Sequence, residues 1–344
     1  TPEYNRFMLG ASASWELDLW GRVRASVKRD RFRAEAEAVN YHNVLLSLQA
    51  SLAQQYFAHC AAHTELNLLQ RSHDLATENL EMQKARLRMG QGVQAEVANA
   101  QLELQNAATA LEASRRNTGR LLHAIAVLTE TMPSELSDLE PALLPVIPDI
   151  PVGLPSDLLA LRPDLLAADR RLRSAALQVG IRKADFLPKI SLVGVGGIAS
   201  LKADNLFAAD SALFDLGPEV DIGIFQYRFR KAAVAQAKAQ FREAAANFKA
   251  AFLTAVKEVD DALLEARSYS RELTLQRQTL QAATEAAEAA RKRFDTGLTN
   301  YFDFIAAERV RLQTAAREST LTSERLLATV RLIQALGGSW PSRE

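Results

Sequence analysis

Three residues with metal-binding chemistry sit within one helical turn: His59, Cys60 and His63. Imidazoles at i and i+4 share a helix face and can hold one ion between them. No third ligand or general base stands nearby, and the His-Glu-x-x-His spacing of a metalloprotease is absent. Positions on the surface of a coiled coil are the better reading, so no metal is expected. Gly194-Val195-Gly196-Gly197 is not a phosphate loop. It lacks the following Lys-Ser/Thr pair and opens no helix, and small residues in a strand or hairpin explain it better. No Gly-x-Ser-x-Gly, Ser/His/Asp set or paired-carboxylate cleft is present. The chain reads as a non-enzyme with no cofactor.

If the side chains do not react, the long elements must carry the function. Residues Arg230 to Leu336 read as two helices folded back at Phe294-Asp295-Thr296-Gly297-Leu298-Thr299. The first runs without Pro or Gly to Thr296, which is about 95–100 Å of helix. Its apolar residues recur every seven: Phe252, Val259, Ala266, Leu273, Leu280, Ala287 and Phe294. A second series runs Val234, Phe241, Phe248, Ala255, Ala262 and Tyr269. A sustained seven-residue step predicts a left-handed coiled coil. Two such series suggest neighbours on two sides, as in a closed ring of helices.

Leu9, Ala11, Ala13, Trp15, Leu17 and Leu19 alternate with Gly10, Ser12, Ser14, Glu16 and Asp18. Period two over that length predicts a strand with one greasy and one wet face, suited to a transmembrane β-strand. Trp15 and Trp20 are placed for a membrane interface. Gly21 ends this strand, and a long helix is expected from Arg22 to about Arg88, with a stripe at Leu68, Leu75, Met82 and Met89. A turn at Gly90-Gln91-Gly92-Val93 leads to a second helix, from about Ala95 to Thr129. Pro133, Pro141, Pro145, Pro148, Pro151 and Pro155 mark an irregular connector. Short helices should start at Ser156-Asp157 and at Arg162-Pro163-Asp164, the latter running to about Ala184. Pro188 to Ile198 reads as a strand, Ala199 to Leu213 as a loop, and Glu219 to Ile224 as a strand.

The order strand, very long helix, turn, shorter helix therefore occurs twice. The expected divisions are 1–140, a connector at 141–185, and 186–344. Aligning Gly92 with Gly297 pairs Ala98 with Asp303 and Glu103 with Glu308. The second copy has two strands before its long helix and the first has one, so a further strand is expected ahead of Thr1. Lys and Arg number 41, Asp and Glu 41, for a net charge of zero over 344 residues. That balance argues against a nucleic-acid partner. Cys60 is the sole cysteine, so no internal disulfide can form. No run of 18 apolar residues occurs, so no membrane-spanning helix is expected.

The segments "WELDLWGR" at 15–22, "GLPSDLLALRPDLLAADRRLRSA" at 153–175, "KADFLPKISLVG" at 183–194 and "FDTGL" at 294–298 carry a resemblance. Together they resemble the outer-membrane efflux proteins of the TolC family, most of all the OprM/NodT lipoprotein branch. The resemblance covers essentially the whole chain. It implies a mainly α fold with a few β-strands: long α-helical hairpins forming a periplasmic α-barrel, plus strands of a β-barrel in the outer membrane of a Gram-negative bacterium. It implies a homotrimer, each protomer bringing four strands, in which three are visible here. N-terminal helices and a lipidated cysteine are implied as well. Barrel closure by several copies agrees with physics, since no open sheet is stable in lipid.

The implied function is a passive exit duct for small molecules and drugs in a tripartite efflux pump, with a periplasmic adaptor (membrane fusion) protein and an inner-membrane RND-type pump as partners. A duct for type I protein secretion is an alternative, and a soluble coiled-coil scaffold is one of another class. Gly92 and Gly297 should take the positive φ of tight turns. The resemblance makes the tips adaptor contacts: Gly90, Gln91, Gly92 and Val93 on one, Thr296, Gly297 and Leu298 on the other. It also makes Asp303 an acid of the periplasmic aperture, with Glu96 and Glu103 as candidates in the first copy. A solvated Asp near a helix N-terminus is the plainer reading of Asp303. Where the family has a second acid, Ala306 stands. Where it turns on paired glycines, this chain has Gly223-Ile224-Phe225-Gln226-Tyr227-Arg228, so that joint must bend by other means.

Overall fold

A computed structural model describes residues 5–136 and 162–338. The proline-rich connector and the short helix expected at Ser156-Asp157 lie outside the described residues. The elements in order are β1 (Phe7–Glu16), α1 (Arg22–Arg88), α2 (Gln94–Leu128), α3 (Pro163–Ala184), β2 (Lys189–Ser200), β3 (Ala212–Asp221), α4 (Tyr227–Asp295) and α5 (Tyr301–Ala335). Two compact units divide them: residues 1–42 with 163–253, and 43–162 with 254–344.

The first unit holds an antiparallel sheet in the order β1-β2-β3. Its register aligns the side-chain faces of all three strands. Leu9, Ala11, Ala13 and Trp15 pair with Ile198, Gly196, Gly194 and Leu192. These pair in turn with Ala212, Phe214, Leu216 and Pro218, and Ile190 pairs with Val220. Paired residues share a face, so this side of the sheet is apolar except for Ser200, which pairs with Phe7. The other side carries all the charged strand residues, Glu16, Lys189, Asp215, Glu219 and Asp221, with Ser12 and Ser14 and, among them, Met8, Val193, Val195 and Leu213. Phe214 and Trp15, on the apolar side, are 78% and 64% exposed. Gly10 and Gly197 sit opposite each other, where a Cβ on Gly197 would meet the Leu9 carbonyl at 2.5 Å. Only glycine admits that approach.

Two strands differ from expectation. β1 stops at Glu16 rather than Leu19. The Asp18 carboxylate accepts from the amides of Val23 at 2.7 Å and Arg24 at 3.0 Å, and Gly21 turns the chain at φ 71°. Asp18 thus belongs to the start of α1, which alternation alone does not reveal. β3 covers 212–221, not 219–224. Pro218 is tolerated because β3 is an edge strand. Ile222 and Ile224 leave the sheet at Gly223, whose φ of −77° and ψ of 74° make an inverse γ-turn, closed from the Ile224 amide to the Ile222 carbonyl at 2.9 Å. A 3₁₀ turn over Ile224–Gln226 then opens α4. The joint therefore bends without a left-handed glycine.

α3 begins at Pro163, whose fixed φ suits a first helical position. Asp164 in its first turn and Arg182 and Lys183 in its last suit the helix dipole. Arg170 bonds Glu35 at 3.2 Å and stands over the Phe32 ring, while Arg29 donates to Gln178 at 2.8 Å. These hold α3 to the start of α1.

The second unit contains two helical hairpins. In α4, Ala255, Ala262, Ala266, Leu273 and Ala287 are buried, with Val259, Tyr269, Leu280 and Phe294 partly so. The two seven-residue series therefore interleave at steps of four and three, as the two halves of one coiled-coil seam. Ala262 packs with Leu332 and Leu336 of the second hairpin. In α1 the expected stripe is out of phase, since Met82 and Met89 are 38% and 64% exposed. The seam runs instead through His59, Leu66, His73 and Leu80, interleaved with Ala62, Leu69, Ala76 and Gln83. His59 and Cys60 are thus buried, not at the surface as expected. Arg162, nearly buried, donates to the Ala335 carbonyl at 2.8 Å and to Glu258 at 2.7 Å.

Candidate functional site

Both hairpin tips are built on one capping geometry. The Gly90 amide bonds the Leu87 carbonyl and Gln91 that of Arg86; Gly297 bonds Phe294 and Leu298 bonds Arg293. This is the Schellman closure, which places its central residue in the left-handed region. Gly90 has φ 71° and Gly297 φ 73°. Gly90, not Gly92, is thus the counterpart of Gly297, because it directly follows the last carbonyls that need partners. Counted from these glycines the second helices coincide: α2 and α5 each span 35 residues and start four residues after their glycine.

The corrected alignment brings Glu96, not Ala98, opposite Asp303. Each is the third residue of its helix. Asp303 gives its amide to Asn300 Oδ1 at 2.9 Å and accepts from the Thr299 hydroxyl. Glu96 reaches back to the Val93 amide at 3.4 Å. Both carboxylates therefore finish helix N-termini, where the dipole favours them, and Asp303 is also exposed. Gly90, Gln91, Val93, Thr296, Gly297 and Leu298 are exposed and Gly92 partly so, leaving Val93 and Leu298 as bare apolar tips. Glu103 pairs with Arg309 and accepts from Asn79 at 3.3 Å, joining α1, α2 and α5. Trp15 lies on the apolar sheet face; Trp20 lies past the strand end and donates from Nε1 to the Pro188 carbonyl at 2.8 Å.

Further ties between the hairpins escape sequence reasoning. The Tyr301 hydroxyl donates to Glu78 Oε2 at 2.6 Å across 223 positions. Burial, then the bond to Glu78, push the phenol up to about 12. Arg86 stands 5.0 Å above the Phe302 ring. On the second hairpin's own side, Tyr301 packs against Phe294 and Phe304, and Arg291 covers Phe304 at 5.2 Å. The signal was the run of aromatics flanking Gly297, but no periodicity names their partners. His63 has Asn67 within 3.4 Å, and burial pushes the Cys60 thiol up. Among the described residues no group of three or more His, Cys, Asp or Glu is placed to hold a metal.

A sheet with one apolar face, leading at one end into helices that fold back as long hairpins, is the architecture of an outer-membrane channel of the TolC type. The family model for the outer membrane efflux protein matches residues 1–129 and 154–338, and the chain belongs to that family. The solvent efflux pump outer membrane protein SrpC of Pseudomonas putida is 26% identical over 98% of this chain and 72% of its own length. The cation efflux system protein CusC of Escherichia coli is 27% identical over 97% of this chain and 73% of its own. The solved outer-membrane channel OprN superposes with a TM-score of 0.88 at 27% identity, covering 98% of this chain and 76% of that one. The chain is thus the outer-membrane channel component of an efflux system, extending into the periplasm.

Proposed function

We propose that three copies of this chain close one β-barrel and one helical barrel, forming the passive exit duct of a tripartite pump. The observation that supports it most is the sheet register, which puts every charged strand residue on one face and leaves the opposite face, from Leu9 to Trp15 and across to Val220, without a charge. Such a sheet gains nothing alone in water, and its β1 and β3 edges, unpaired among the described residues, need partners. A soluble scaffold has no use for it.

The duct catalyses no reaction. Energy comes from an RND-type inner-membrane pump through a periplasmic adaptor, which meets the tips at Gln91-Gly92-Val93 and Thr296-Gly297-Leu298. Glu96 and Asp303 line the periplasmic aperture, so that three copies draw cations. The Tyr301–Glu78 and Arg309–Glu103–Asn79 ties hold the two hairpins of each protomer together in the closed state. Opening parts the hairpins and breaks these ties. Trp15 and Trp20 mark the lipid boundary. Solvents for one relative and cations for another fit a wide duct that reads no single substrate.

Cysteine cross-linking tests the docking, with Leu298→Cys in a Cys60→Ser background. Cross-links to the adaptor that vanish when the cysteine is moved to the strand loop at Phe207 are expected. Equal capture at both sites would overturn it.

A further inference from the structure

Charge is spread unevenly along α4. Its first part carries Arg228, Arg230, Lys231, Lys238, Arg242 and Lys249 against one acid, Glu243. From Lys257 onward acids are interspersed, and Lys257, Arg277 and Arg291 pair with Asp261, Glu318 and Asp295. The helix is unbroken across the basic stretch, so spacing fixes direction. At about 100° per residue, Lys231, Lys238, Arg242 and Lys249 fall within about 40° of one another. They form one line about 27 Å long, and all four are exposed. Ala237 and Ala255, buried in the seam, lie roughly 120° away around the helix. None of the four cations forms an ion pair among the described residues. Glu243 lies off the line and has no base three or four residues away.

We propose that this line docks peptidoglycan, through the carboxylates of its stem peptides. A second copy of the chain supplies no counter-charge at this level. In this unit Asp30, Glu35, Glu37 and Asp169 of α1 and α3 each pair with an arginine of the same chain. Asp164 bonds the Leu165 amide at 2.8 Å. Four like charges do not enter a protein interface without acids to meet them. Lipid headgroups do not reach the line either. The polar layer of a bilayer is about 5–8 Å deep on each side, and Lys249 stands about 33 Å along α4 from Tyr227. A small anion needs donors that converge on it, whereas these are strung out singly, with Ala235, Ala245 and Ala246 between them. A line of cations suits an extended polyanion, and peptidoglycan is the carboxylate-bearing network of the periplasm. The inference rests on the channel reading only in placing α4 there.

The test spins the detergent-solubilised full chain with purified sacculi at low salt. Co-sedimentation is expected, and raised salt should weaken it several-fold. Lys238→Glu with Arg242→Glu and Lys249→Glu should weaken it as much, while Lys202→Glu, between β2 and β3, should bind as the parent does. The same three positions changed to Gln give the neutral variant should the reversed one not fold. Sacculi with amidated carboxylates should not bind the parent. A parent that stays in the supernatant overturns the inference. So does a charge-altered triple variant that binds sacculi as the parent does, whether or not it shifts the ion preference of single channels. If the parent binds sacculi yet forms no channel in planar bilayers, the duct reading fails and this inference stands.

Discussion

Removing one hydroxyl tests whether the hairpins are tied at their tips. Tyr301→Phe deletes the bond to Glu78 and keeps the ring on Phe294 and Phe304. A hydrogen bond to a charged group is worth about 1.5–3 kcal/mol. Glu78 is exposed, so the expected loss is nearer 1 kcal/mol. That is a factor of about 5 between joined and parted hairpins. Single-channel recording should show open time rising by about that factor. Glu78→Gln should act alike, and the double variant should do little more than either, because both remove the same bond. Alkali provides a second readout. The Tyr301 pKa in the folded chain, about 12, lies above the ordinary 10.0. Its contribution is therefore complete below about pH 10 and lost as pH rises through about 12. The parent channel should loosen over that window and Tyr301→Phe should not. Unchanged open time, or additive effects of the two substitutions, would refute the tie.

Asp303→Asn keeps a polar side chain at the helix start but removes charge, so ion-selectivity measurements should show weaker cation preference. Asp303→Ala should in addition leak, and loss of the first-turn carboxylate should cost about 0.3–1 kcal/mol in thermal unfolding, the Asn300 cap being kept. Gly297→Ala forces a side chain into the left-handed region at a cost of about 1–2 kcal/mol. Gly119→Ala, inside α2 with open space around it, should instead stabilise by about 0.5–1 kcal/mol on the same melting curves. The Cys60 thiol, buried and pushed up by burial, should react with maleimide far more slowly in the folded chain than in urea.

The helical hairpins were legible because long uninterrupted periodicity has few other meanings; α1 begins and ends where Arg22 and Arg88 stood in the sequence. Its seam was not, because His59, His73 and Gln83 occupy seam positions and disguise the stripe. In α4 the same two series were visible, but their relation as one seam needed three-dimensional phase. Gly217-Pro218 hid β3, since a proline is allowed only at an edge that sequence does not reveal. At the first tip, Gly90 and Gly92 are equal candidates by composition, and only the amide bonds choose. Asp303 was legible as an acid near a turn, and its match with Glu96 followed once that choice was made. Tyr301 and Glu78 were invisible because nothing local couples residues so far apart.

Separate copies of the chain should complete one conducting tube. Protein extracted from outer membranes and added to planar lipid bilayers measures this directly. Stable, uniform single-channel steps with a preference for cations are expected. A bilayer that stays silent, with the protein recovered as a water-soluble monomer, would contradict the account.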